Sequence, residues 1–222
     1  VSAPTAWILV GSGGFLFVGA SLLVRANATK WDEVVYRFLN DVPSGVARFL
    51  TPLSRLFLPL GLTIVVLAAA VYCVMRNRSL WPIVFCAASA AVAWLGANVG
   101  KAVADRQRPY EVVTGAVLRQ QPAHGTSFPS SHSAIAFAVT LTVIPYFPRR
   151  AVVIPIAYAA LVAWSRVYLG VHYPLDVIGG VGIGLIVGGG ALALIRLYAG
   201  PVRLRLDQYR ESRRSRRGSI SG

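Results

Sequence analysis

Apolar and polar positions alternate in broad bands along this chain. Six long apolar stretches, at about 7–24, 58–75, 80–104, 131–147, 151–169 and 174–198, are separated by shorter polar connections. A helix needs roughly 20 apolar residues to cross about 30 Å of hydrocarbon, so each stretch predicts a membrane span. The first has no basic segment ahead of it and reads as a span rather than a signal peptide. Between the first two lies ATKWDEVVYRFLNDVPSGVARFLTPLSRLF. There Val34, Val35, Phe38 and Leu39 recur at helical spacing, with Asp32, Glu33 and Arg37 among them. That pattern predicts an amphipathic helix lying in the membrane interface, with a structural role favoured over that of a substrate gate. The expected fold is all-α, a bundle of six transmembrane helices plus the interfacial helix. One membrane domain is expected over 1–200, followed by a basic tail over 201–222 expected to be disordered.

Composition sharpens this picture. Of 222 residues 55% are hydrophobic and only 14% charged, with a mean hydropathy of +0.60. Soluble domains carry about 25% charged residues, so a soluble enzyme is excluded and no room is left for a second, soluble domain. The net charge is +14, and eight arginines lie from Arg196 onward. Such a tail suits nucleic acid or an anionic membrane surface. Directly after a span, and with only Tyr209 as an aromatic, it reads as a membrane-surface anchor, so no nucleic-acid partner is expected. Arg76, Arg78, Arg149, Arg150 and the tail all fall on one side of a six-span chain, which the positive-inside rule makes cytoplasmic. Arg25, Lys30, Arg37, Arg48 and Arg55 lie on the other side and are offset only in part by Asp32, Glu33 and Asp41. The reading is a multi-pass plasma-membrane protein whose connection 105–130 faces outward. Cys73 and Cys86 sit in apolar runs, with neither disulfide nor metal-ligand spacing, and read as small buried residues.

Three polar clusters interrupt the apolar bands. The first is KAVADRQRP, where Lys101 and Arg108 are seven residues apart and would share a helix face; Pro109 disfavours helix at Arg108. The second is PSSH, at the start of the fourth span. A helix start has free N–H groups and a partial positive charge, to which the Ser130 and Ser131 hydroxyls add donors. Alone, either cluster would be read blandly, as a snorkelling lysine and an N-cap. The third is SRVYLGVHYPLD, with Arg166, a turn at Gly170, His172, Pro174 suited to a helix start, and Asp176 one helical turn after His172. A carboxylate beside an imidazole fixes its tautomer and stabilises its cation. All three clusters fall on one side of the bundle. Three cations, two hydroxyls, two histidines and one carboxylate make a phosphate pocket with an orienting pair and a spare acid/base. Magnesium needs clustered carboxylates, which are absent. Zinc on the histidines and Asp176 is disfavoured by the neighbouring cations, so no metal or other cofactor is expected.

This set of motifs, in order and spacing from 101 to 176, resembles the type 2 phosphatidic acid phosphatase superfamily. Ser131 stands where that family usually has glycine. Serine keeps the backbone N–H, but its side chain changes how closely phosphate can approach. The resemblance implies roles: His172 as a nucleophile forming a phosphohistidine, Asp176 as its orienter, and His132 as the group that protonates the leaving oxygen and then activates water. Lys101, Arg108, Ser130, Ser131 and Arg166 would hold the phosphate. It implies a lipid phosphatase acting on a lipid phosphate among membrane lipids, with a polyprenyl (undecaprenyl or decaprenyl) diphosphate favoured. Phosphatidylglycerophosphate or phosphatidate hydrolysis and phosphotransfer to another lipid are alternatives. The family also holds soluble acid phosphatases and vanadium haloperoxidases, which the spans argue against. From another class, an anion or lipid transporter needs no histidine–aspartate pair beside a second histidine. The residues assign no oligomeric state.

Overall fold

The computed structural model describes residues 3–27, 30–55, 63–64, 67–68, 71–72, 74–75, 80–102 and 104–218. Among them every regular element is helical. In chain order they are α1 (Ala3–Arg25), α2 (Lys30–Asn40), α3 (Ser44–Arg55), α4 (Trp81–Lys101), α5 (Pro109–Val112), α6 (Ser131–Val143), α7 (Val153–Tyr168) and α8 (Pro174–Gly218). Among the described residues four helical stretches are long and apolar enough to cross a membrane: Pro4–Arg25, Trp81–Lys101, Arg149–Tyr168 and Pro174–Leu197. They correspond to the first, third, fifth and sixth predicted spans. The fourth, Ser131–Tyr146, is apolar but shorter, about 24 Å at 1.5 Å per residue. The second predicted span, with Cys73, Arg76 and Arg78, falls largely outside the described residues. Cys86 is buried, as its apolar setting implied.

α8 is the central helix and packs against α1, α4, α6 and α7. Small residues permit this. A Cβ at Gly13 of α1 would stand 2.5 Å from the Gly182 carbonyl oxygen, so the two backbones meet where both lack side chains. Ala93 and Ala97 of α4 pack with Ala134 and Ala138 of α6 around Ile183. Without a hydrophobic drive between helices in lipid, such close approach and interhelical hydrogen bonds hold a bundle together. Ser89 and Thr142 share one at 2.8 Å between α4 and α6, and Thr140 donates to the Pro155 carbonyl at 3.0 Å between α6 and α7.

The backbone of α8 runs on as helix to Gly218. Its run of Leu, Gln, Glu and especially Arg consists of strong helix formers that extend a helix already nucleated in the bundle. The helix predicted around Val34–Leu39 forms as α2 and turns Val34 and Phe38 outward. Its polar stripe, however, is not solvated: Asp32, Tyr36 and Asn40, spaced one turn apart, are the buried residues. Asn40 donates to the carbonyls of Val117 and Tyr168 and accepts from the Val117 N–H, which ties α2 to the 113–127 loop and the end of α7.

Candidate active site

At one end of the bundle, where α4 ends and α6 and α8 begin, lies a cavity of about 480 Å³. Lys101, Arg108, Ser131, His132, Arg166 and His172 line it. Three distant stretches of sequence thus contribute to one wall, with three cations and no carboxylate on it.

Lys101 is the last residue of α4, and its Nζ donates to the Thr126 carbonyl at 2.8 Å. Arg108 caps α5 in an extended conformation, φ −78° and ψ 151°, as Pro109 requires. Its guanidinium donates to the carbonyls of Gly125 (3.0 Å), Val171 (3.0 Å) and His124 (3.1 Å). The two cations meet at the cavity, but not by sharing a helix face as their spacing suggested. α4 stops at Lys101, and residues 104–108 are irregular because their carbonyls find partners elsewhere. The Ser127 N–H donates to Arg106 O at 2.8 Å and the Ser127 hydroxyl to Gln107 O at 3.2 Å. The loop so tied down brings Gln120, Ala123 and His124 onto the cavity.

Ser130 and Ser131 part company. Ser131 begins α6 and lines the cavity, next to His132. Ser130 is the N-cap, fully buried and not on the cavity wall. Its N–H donates to the main-chain oxygen of Asp176 at 2.9 Å, and its hydroxyl accepts from Ser133 at 3.1 Å. It fastens α6 to α8 and makes no side-chain cap. The first-turn N–H groups of α6 are therefore not covered by the N-cap hydroxyl and remain suited to an anion.

α7 ends in a turn at Gly170, φ +84°, where a Cβ would lie 2.5 Å from the Val117 carbonyl oxygen. Only glycine fits, and the turn delivers His172 to the cavity. Arg166, in the last turn of α7 and 1% exposed, donates through Nε (3.2 Å) and Nη2 (3.0 Å) to the Ser165 hydroxyl. Asp176 lies in the first turn of α8 and is fully buried. Its Oδ2 accepts from the Tyr173 N–H at 2.8 Å, the carboxylate arm of a capping box. The same oxygen stands 3.6 Å from His172 Nδ1, an electrostatic contact longer than a hydrogen bond. His172 Nδ1 itself is buried with no hydrogen-bond partner. Burial pushes the His172 imidazole down to about 4; Asp176 opposes this, and Arg108 and Lys101 add to it. The imidazole is therefore neutral at physiological pH, the form with a free nucleophilic nitrogen.

Sequence reasoning missed two residues here. Arg106 donates to Asp176 Oδ1 at 2.8 Å and to Asp32 Oδ2 at 2.6 Å, and Asp32 Oδ1 accepts from the Leu175 N–H at 2.8 Å. Burial works against the Arg106 charge, but Asp176 and Asp32 more than offset it and hold the group above its ordinary value. The available signal was the rarity of acids, eight in the whole chain; what it could not say is that Asp32 turns inward. Among the described residues no group of three His, Cys, Asp or Glu side chains could hold a metal ion.

The described residues thus form a helical bundle with long apolar helices and a cavity lined by three cations and two histidines. The chain belongs to the PAP2 superfamily, whose family model matches residues 79–198, just over half of it. It is similar to an undecaprenyl-diphosphatase of Sulfolobus acidocaldarius, 37% identical over 83 residues, covering 37% of this chain and 40% of that one. It is also similar to the putative undecaprenyl-diphosphatase YbjG of Escherichia coli, 42% identical over 60 residues, covering 27% of this chain and 30% of that one. The matches thus span less than half the length of these relatives. Among solved structures, the transmembrane PAP2 type phosphatidylglycerolphosphate phosphatase from Bacillus subtilis superposes with a TM-score of 0.72 at 22% identity, covering 85% of this chain and 96% of that one. Aquifex aeolicus LpxE superposes with a TM-score of 0.59 at 25% identity, covering 71% and 92%. At such identity the first likeness is one of fold.

Proposed function

We propose that this chain is a membrane lipid phosphatase that hydrolyses a phosphate ester or anhydride through a phosphohistidine, with a polyprenyl diphosphate as the favoured substrate. The observation that carries this reading is the cavity of about 480 Å³ on which His172, His132 and three cations converge. In the first step His172 Nε2 attacks phosphorus, and the bond from phosphorus to the leaving oxygen breaks. Asp176 faces Nδ1 and stabilises the positive charge that develops on the ring. His132 gives its proton to the leaving oxygen. In the second step a water loses a proton to His132 and attacks phosphorus, and the P–N bond breaks. Lys101, Arg108 and Arg166, with the Ser131 hydroxyl and the first-turn N–H groups of α6, hold the phosphoryl oxygens, whose charge they neutralise in the transition state. Ser130 acts behind them by fixing the turn.

The names of the curated relatives support a polyprenyl diphosphate over other lipid phosphates. With three cations at the phosphate site, the reaction needs no metal. Purified protein in detergent is expected to release phosphate from undecaprenyl diphosphate faster than from phosphatidylglycerophosphate or phosphatidate, and to do so undiminished in excess EDTA. Loss of activity in EDTA that Mg²⁺ restores would refute the metal-free mechanism; transfer of the phosphoryl group to a lipid alcohol would make it a phosphotransferase.

The cavity is proposed to open on the extracytoplasmic face, with the basic tail cytoplasmic. Arg149 and Arg150 precede α7 while Arg166 lies in its last turn, so the cavity and this arginine pair are at opposite ends of the same helix. With the native cysteines removed, a cysteine introduced at Gly125 is expected to react with an impermeant thiol reagent in intact cells, and one at Ser212 to be protected. The reverse pattern would put the site in the cytoplasm.

A further inference from the structure

Behind His172 the buried charges form a line that leads out of the cavity to the interfacial helix. Asp176 is held by Arg106, Arg106 is held by Asp32, and Asp32 belongs to α2. Asp32 and Asp176 are fully buried and the Arg106 side chain is only 11% exposed. Every strong contact of the two carboxylates is made: one oxygen of each takes an N–H of the α8 start, Tyr173 or Leu175, and the other takes one arm of the guanidinium. The face of that guanidinium lies 3.9 Å from the centre of the Tyr173 ring, which packs in turn on Tyr36 of α2 at 5.4 Å. Arg106 is thus fixed in plane, tilt and distance. A planar fork that bridges two carboxylates is a task lysine cannot perform.

Burying three charges is a poor way to gain stability, since their desolvation is barely offset by their attraction. Apolar packing would hold α2 on the bundle as well. What the arrangement does supply is orientation. Asp176 presents Oδ2 to His172 at 3.6 Å because Oδ1 is pulled the other way by Arg106. We propose that Arg106 and Asp32 are positioning residues of the catalytic pair: Asp32 aims Arg106, Arg106 aims Asp176, and the docking of α2 thereby sets the nucleophile. The inference rests on the phosphatase reading above and assigns to the interfacial helix a part in the chemistry that its apolar outer face does not reveal.

The charges also set the sign of a test. His172 shares its cavity with Lys101 from α4, Arg108 from the segment before α5, His132 from α6, Arg166 from α7 and His124 from the loop, and Asp176 stands 3.6 Å from its Nδ1. Arg106→Met leaves the Asp176 charge uncompensated, which favours the protonated imidazole. Asp32→Asn leaves the Arg106 charge to Asp176 alone, which disfavours it. With the wild-type acid limb of kcat/KM as reference, Arg106→Met is expected to move that limb to higher pH and Asp32→Asn to lower pH. Partners that orient the ligands of a metal are worth about 10–100-fold in activity, and a loss of that order is expected for groups that orient a catalytic carboxylate. Arg106→Met is expected to lose that much in kcat with KM within about twofold, the signature of an interaction felt in the transition state. Arg106→Lys, which keeps the charge but reaches one carboxylate, is expected to restore part of kcat. Each rate is taken per folded protein, measured by monodispersity in detergent and thermal unfolding. Losses that vanish on this correction, or limbs that stay in place or move the same way, overturn the inference and leave the phosphatase reading intact. Wild-type protein that releases phosphate from no lipid substrate overturns both.

Discussion

His172→Ala is expected to lower the rate of phosphate release by at least about 10⁴-fold, since deleting a nucleophile outright removes the covalent route and leaves only binding and electrostatic help. The fold is expected to survive. His172 Nδ1 is buried without a hydrogen-bond partner, so truncation strands no polar group that the native state had satisfied. The turn that carries the residue is set by Gly170 and by the Pro174 helix start, neither of which depends on the imidazole. Steady-state rates on matched, monodisperse preparations check this. Residual turnover within about 100-fold of wild type would show that another group attacks phosphorus.

His132→Ala is expected to cost about 10²–10⁴-fold with a lipid substrate, the usual worth of a positioned acid or base. The loss is expected to depend on the leaving group. The alkoxide of a lipid monoester such as phosphatidate needs a proton as it departs, whereas p-nitrophenolate, like the lipid phosphate that leaves a polyprenyl diphosphate, needs little, so the first step is expected to suffer most with phosphatidate and to recover with a p-nitrophenyl phosphate ester. Water activation stays slow with either substrate. Single-turnover kinetics separate the two steps. Equal losses in the first step for good and poor leaving groups would remove His132 from the acid role.

The bands of apolar residues made four of the long helices legible, because a membrane span is specified by local composition alone. The two histidines, Asp176 and the three cations were legible as three short polar clusters that interrupt the apolar bands in a family's order and spacing, whereas Arg106, inside the first cluster, did not stand out. What spacing could not convey is how tertiary partners reshape a segment. Lys101 and Arg108 looked like neighbours on one helix, but α4 ends at Lys101 and the loop carbonyls at 124–126 draw them to the cavity instead. Ser130 and Ser131 are adjacent in sequence, yet a helix start sends one onto the cavity and the other beneath it. Asp32 was legible only as part of an amphipathic helix. A pattern of polar and apolar faces does not say whether the polar one meets water or, as here, a buried arginine 74 positions away.

The central claim is that phosphorus becomes bonded to a histidine on this cavity, and chemical trapping tests it most directly. Protein mixed with undecaprenyl diphosphate labelled in the terminal phosphate, then denatured within a turnover, is expected to carry label that is stable to base and lost in acid, as a phosphoramidate is. Proteolysis and mass spectrometry are expected to place it on the peptide containing His172. Turnover with no trapped label at any quench time, or label on His132 or on a serine, would contradict the account.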